Sequence, residues 1–190
     1  MADAPKNKKI VIPRVEQETS TLSYAQERLW FVEQYEEATS AYHIPCLYKL
    51  SATANVEWVK KAIQAVVDRH AILRTTIEQS DNHDIQRIHA SPLVIKEQPL
   101  TVAANYAEIV SREINTPFDL KNEYPIKVTL YQVLDDEPHY LLLVNFHHIA
   151  TDGWSIDIFE RDFQYFYNAY ATKQEPTLPA LSIQYMDYAV

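Results

Sequence analysis

The most constraining stretch of this chain runs from Tyr140 to Ser155. It opens on the most apolar run in the sequence, Tyr140-Leu141-Leu142-Leu143-Val144, which reads as a strand buried on both faces. It then passes through Asn145-Phe146-His147-His148-Ile149-Ala150-Thr151-Asp152-Gly153 into a segment of helical periodicity starting at about Trp154. Two imidazoles, a carboxylate and a glycine therefore sit where a buried strand hands over to a helix. Gly153 is the only glycine in the 190 residues, where average usage predicts about 13. A chain that does without glycine elsewhere is expected to need this one for positive φ or for close backbone approach.

The flanking elements follow from periodicity and punctuation. Ser23 is placed to cap a helix running to about Glu37. Tyr42 to Leu50 reads as a strand. Asn55 caps a second helix, in which Val59, Ala62, Ile63, Val66 and Val67 form an apolar stripe ending near Arg69-His70. Strands are expected over Arg74–Gln79 and Asp84–His89, joined by a turn at Ser80–His83. A further strand is expected over Leu93–Glu97. Thr101 is placed to cap a helix with Ala103, Tyr106, Ala107, Val110 and Ile114 on its apolar side. Ile126–Leu134 and Pro138–Phe146 should pair antiparallel through Asp135-Asp136-Glu137. The helix from Trp154 to Ala171 should bury Phe159, Phe163, Phe166 and Tyr170, and another starts after Ser182. Residues 1–21 are polar and Pro- and Lys-bearing, as in a linker or tail, with a short extended piece at Ile10-Val11-Ile12. Residues 22–190 form one domain.

Charge and cysteine content remove several functions. A net charge of -9 argues against a nucleic-acid surface and against anionic membranes. The single Cys46 cannot build a disulfide framework and reads as core. No run approaches the length of a membrane span and no signal peptide opens the chain, so the expected compartment is cytoplasmic. Zinc is disfavoured because adjacent strand histidines do not offer the i, i+4 geometry of a helical zinc site. A serine hydrolase lacks its Gly-x-Ser-x-Gly elbow.

The pattern His147-His148-x-x-x-Asp152-Gly153 resembles the core motif of the condensation domains of nonribosomal peptide synthetases, members of the chloramphenicol-acetyltransferase-like acyltransferases. Three more segments resemble that family's motifs in the right order. They are Ser23-Tyr24-Ala25-Gln26-Glu27-Arg28-Leu29-Trp30, Arg69-His70-Ala71-Ile72-Leu73-Arg74-Thr75, and Tyr185-Met186-Asp187-Tyr188-Ala189. The resemblance covers about Leu22 onward and only the first half of the family's domain. It implies an α+β fold, a chloramphenicol-acetyltransferase-like lobe with a mixed, largely antiparallel sheet covered by helices. It also implies amide formation between a donor acyl or peptidyl thioester and an acceptor amine. Both would be delivered on phosphopantetheine arms by carrier-protein domains, with a C-terminal lobe as a further partner and no cofactor or metal held by the chain itself.

Adjacent strand residues point to opposite faces, so only one of the two histidines can face a cleft. Periodicity does not choose between them. The resemblance assigns the catalytic role to His148, as proton acceptor or as a positioning group, and leaves His147 to fix the turn. It implies that Asp152 holds the loop through an ion pair with Arg74 or, second, Arg69. Gly153 would place backbone N–H groups near the helix N-terminus. Arg28 is either structural or site-lining, and Trp154 and Ser155 are the other candidates for lining the site. The histidine pair separates the chain from heterocyclising relatives, which carry aspartate there. The order Trp154-Ser155 separates it from epimerising ones. Two other readings compete: a complete acetyltransferase of the chloramphenicol type, in which the motif lies close to the C-terminus, and a non-catalytic carrier-docking module. On the condensation-domain reading the 190 residues alone are expected to be inactive.

Overall fold

A computed structural model describes residues 12–14, 17–35, 39–80, 83–101, 105–134 and 138–189. The elements in chain order are β1 (Thr19–Thr21), α1 (Tyr24–Tyr35), β2 (His43–Leu50), α2 (Val56–Arg69), β3 (Thr75–Gln79), β4 (Asp84–Ile88), β5 (Ile95–Thr101), α3 (Tyr106–Ile114), β6 (Ile126–Leu134), β7 (His139–His147), α4 (Gly153–Ala171) and α5 (Tyr185–Tyr188), with a 3₁₀ turn at Ala71–Arg74.

Four strands form the main sheet in the order β2-β7-β6-β5. β7 runs antiparallel to both β2 and β6, while β5 is parallel to β6. β7 is apolar on both faces because both are covered. Leu142, Val144 and Phe146 alternate with Leu143, and β6 does the same with Val128 and Leu130 against Tyr131 and Val133. The even-numbered side packs on α2 and α4 through Val59, Ile63, Val66, Val67, Phe159 and Phe166. The odd-numbered side packs on α3 through Val110. Burying a side chain such as Leu142 or Phe146 stabilises the fold by about 1.5–3 kcal/mol. A second sheet, β1-β4-β3, is wholly antiparallel. A third cluster, with Leu22, Trp30, Ile77, Phe118, Leu120 and Ile149, joins α1 to that sheet and to the turn after β7.

Several boundaries differ from the sequence reading. Thr19–Thr21, read as the end of a linker, forms β1 and pairs with Ile85–Arg87. The strand expected at Leu93–Glu97 is β5, shifted to Ile95–Thr101 by its parallel register with Val128–Leu134. Thr101 is therefore a strand residue, and Asn105 caps α3, its Oδ1 accepting from the Glu108 N–H at 3.3 Å. Phe163 and Tyr170 are half-buried rather than buried. Asn55 does cap α2, accepting from the Trp58 N–H at 3.1 Å. Ala103, Asp81 and Asn82, the turn Asp135–Glu137, Ile10, Val11 and Glu37 lie outside the described residues.

Candidate functional site at the end of strand β7

The strand ladder ends at His147, which faces His43 of β2 across the sheet. The Ala150 N–H then bonds the His147 carbonyl at 3.0 Å, and the His148 N–H bonds the Tyr42 carbonyl at 2.8 Å. Together these bonds tie the backbone of the turn on both sides of His148.

The two histidines end in opposite environments. His147 is 0% exposed. It belongs to the odd-numbered side of the strand, edge-on to Phe118, with ring centroids 5.6 Å apart. Its Nδ1 accepts from the Ile149 N–H at 3.1 Å, which requires an unprotonated Nδ1. Its Nε2–H is then left to donate to the Glu33 carboxylate of α1 at 3.1 Å. Burial, reinforced by the neighbouring His43 and His148, lowers its pKa to about 4. The ring is neutral at physiological pH, with both nitrogens committed. His148 lies past the end of the strand with an exposed side chain, and its ring has no hydrogen bond among the described residues.

Asp152 does not form the expected ion pair with Arg74 or Arg69. It is exposed and caps α4, its Oδ1 accepting from the Ser155 N–H at 2.9 Å and from the Ser155 hydroxyl at 2.5 Å. Those two bonds, with a smaller contribution from His148, hold its pKa below the ordinary carboxylate value. An exposed carboxylate already satisfied by its own helix terminus gains little from a distant guanidinium. Arg74 donates instead to the His89 carbonyl. Arg69 bonds Asp162 at 3.1 Å and the Pro179 carbonyl at 2.6 Å. Gly153 is also not what composition suggested. It has no positive φ, and a Cβ built on it meets nothing within 4 Å. As the first residue of α4 it needs only ordinary helical dihedrals.

His147, His148, Asp152, Gly153, Trp154 and Ser155 thus surround one turn. Trp154 is 82% exposed and Ser155 half-buried. Arg28 lies exposed on α1, while Arg69 is held by Asp162 of α4 and Arg74 by the His89 carbonyl just past β4. Two residues missed by the sequence reading organise the surroundings. Glu33 lies at i+7 from Gln26 and i+3 from Trp30, on the buried face of α1, so helical spacing could have marked it. Asp162 lies at i+3 from Phe159 and i-4 from Phe166, a carboxylate inside an apolar stripe. It is 1% exposed and accepts from His70 Nε2 at 2.8 Å as well as from Arg69 and Arg161. Burial pushes the Asp162 carboxyl up, but the bonds from His70 and Arg161 outweigh it and hold the pKa below the usual value.

This fold and this turn define a class. Residues 16–190 match the condensation domain model, and the chain belongs to that family, as an N-terminal portion of the condensation domains of nonribosomal peptide synthetases, with a chloramphenicol-acetyltransferase-like fold. Among relatives, the chain is 38% identical over 176 residues to the nonribosomal peptide synthetase dtxS1 of Metarhizium robertsii, covering 88% of this chain and 2% of that protein. It is 36% identical over 180 residues to a plipastatin synthase of Bacillus subtilis, covering 94% and 7%. Among solved structures, the X-domain from teicoplanin biosynthesis, in complex with OxyB, superposes with a TM-score of 0.84 at 29% identity over 96% of this chain and 40% of that one. The starter condensation domain of the rhizomide synthetase RzmA shares the fold, with a TM-score of 0.79 at 20% identity over 91% and 42%. The chain therefore spans a small fraction of its curated relatives and about two fifths of the related structures. Among the described residues, no helix is long and apolar enough to cross a membrane.

Proposed function

We propose that this chain supplies the catalytic turn of a domain that joins a carrier-bound acyl or peptidyl thioester to the amine of a carrier-bound aminoacyl group. The observation that supports this most is the contrast between the histidines. His147 has both nitrogens occupied in the interior, whereas His148 presents an exposed ring with no hydrogen bond among the described residues. Imidazole can accept the proton released as the amine attacks the thioester carbon, and return it to the departing thiolate. The backbone bond from His148 to Tyr42 fixes where that ring begins. Phosphopantetheine belongs to the substrates here, brought by donor and acceptor carrier domains. The C-terminal lobe would close the cleft and hold the reactants together, which accounts for about 7–11 kcal/mol of such a barrier.

The test is aminolysis in the restored full-length domain with both carriers loaded. His148→Ala should lower amide formation by about 10²-fold or more, and the isolated 190 residues, run as the control, should give no product. Near-normal turnover by His148→Ala would remove His148 from the reaction. A second reading has its own support, since a solved relative of 29% identity is an X-domain in complex with OxyB. On that reading the turn is part of a docking module, and the unaltered full-length domain makes no amide while still capturing a partner protein.

A further inference from the structure

The direction of His148 is set by the two peptide groups that flank its Cα, and these are held in different ways. The peptide between His147 and His148 is tied by backbone: the His148 N–H donates to the Tyr42 carbonyl at 2.8 Å, and the His147 carbonyl accepts from the Ala150 N–H at 3.0 Å. The peptide between His148 and Ile149 is held through a side chain, its N–H donating to His147 Nδ1 at 3.1 Å. That bond needs a lone pair on Nδ1. A neutral imidazole has one N–H, so Nδ1 can accept only when the proton sits on Nε2.

Glu33 faces Nε2. Its side chain is 9% exposed and its carboxylate lies 3.1 Å from that nitrogen. An ionised carboxylate only accepts, and the Ile149 amide only donates. One protonation state of His147 satisfies both. An imidazolium would turn a second N–H against the Ile149 amide, and burial opposes it by lowering the His147 pKa. The helix carrying Glu33 is itself anchored close by. Trp30, one turn earlier, donates from Nε1 to Asp84 Oδ2 of β4 at 2.7 Å, and it shares an apolar cluster with Ile149. The acceptor is thus presented to the ring from a fixed place.

We infer that Glu33 is a positioning residue for His148: by accepting from Nε2–H it holds His147 in the tautomer whose Nδ1 fixes the peptide leaving His148. The inference rests on the catalytic reading above, in which the His148 ring takes up the proton of the attacking amine. Glu33 acts through His147, not on a substrate. Its loss therefore misplaces the reacting ring and leaves the binding of loaded carriers as it was.

The experiment uses the full-length domain with both carriers loaded, thermal melts to confirm folding, and nitrogen NMR of isotope-labelled histidine rings. Glu33→Leu, close in size but without an acceptor, should lower kcat by about tenfold and change KM by no more than about twofold. Glu33→Gln, whose amide oxygen can still accept from Nε2–H, should recover most of that loss. In the spectra, the unaltered domain and Glu33→Gln should show His147 protonated at Nε2 and bare at Nδ1, and Glu33→Leu should lose that single signature. A folded Glu33→Leu with unaltered kcat, or a Glu33→Gln as slow as Glu33→Leu, would overturn the positioning role while leaving the catalytic reading intact. Should Glu33→Leu fail to fold, the unaltered domain decides, since a His147 protonated at Nδ1 would overturn the role by itself. Absence of amide from the unaltered domain, or full turnover by His148→Ala, would overturn the catalytic reading and the positioning role with it.

Discussion

The junction of β7 and α4 has an interior side and a solvent side, and the same two residue types appear on each. Inside are His147 and Asp162; outside are His148 and Asp152. The interior pair is saturated: His147 is held by Glu33 and the Ile149 amide, and Asp162 by Arg69, His70 and Arg161. The outer pair is lightly held, Asp152 by its own helix terminus and His148 through its backbone alone. Burial forces a polar group to find partners or lose stability. Chemistry needs the opposite, a group whose ring remains available. If the proposed function holds, the comparison separates architecture from activity more sharply than residue type does.

Its strongest challenge is Asp162→Ala, which strands the half-buried Arg69 and His70. We expect a loss of about 3–5 kcal/mol in urea denaturation of the full-length domain. A midpoint close to that of the unaltered domain would show that Asp162 is dispensable and break the contrast.

The next test is the pH dependence carried by His147. Its folded pKa of about 4 lies below the unfolded value of about 6.5. Above pH 6.5 both states are neutral and the group contributes no slope. As pH falls from about 6.5 towards 4, the unfolded chain takes up a proton that the folded one refuses, so stability declines, by at most about 3 kcal/mol. His147→Gln, which keeps a donor for Glu33, should lose this part of the acid sensitivity. His43, whose pKa burial also lowers, remains in both proteins and cancels in the difference. Parallel stability curves for the two proteins would mean that His147 is not held neutral by its surroundings.

On the outer side the effects shrink. Asp152→Ala removes a helix cap and should cost about 1 kcal/mol, with Asp152→Asn costing only a few tenths because asparagine caps as well. A loss of several kcal/mol would revive the ion pair that the structure does not contain. Smallest is Gly153→Ala. With no positive φ and open space around the added Cβ, it should change stability by no more than about 0.5 kcal/mol, in the stabilising direction. If amide formation nonetheless drops, the glycine serves a bound substrate rather than the fold.

Much of the frame was legible in advance because it is written locally. The α2 stripe from Val59 to Val67 is buried residue by residue, and the Asn55 cap and the antiparallel β6–β7 pair lie where spacing puts them. The junction at His147–Gly153 was visible for the same reason, as a change of period from strand to helix. Thr101 was misplaced because a threonine ahead of a helical stripe looks like a cap, whereas the parallel pairing with β6 claims it as strand. Gly153 was misread because rarity in composition carries no information about dihedral angles.

The sequence by itself determined that two histidines, a carboxylate and a helix start share one turn, since that depends only on neighbours along the chain. Which histidine is interior and which aspartate carries the ion pairs was decided by tertiary structure alone. The groups that decide it come from far away: Glu33 is 114 residues from His147, and His70 is 92 from Asp162. Strand alternation guarantees that adjacent side chains diverge, but it does not say which face another element will cover. Only the packing of α1 against the end of β7, and of α2 against α4, closes one side of the junction and leaves the other open.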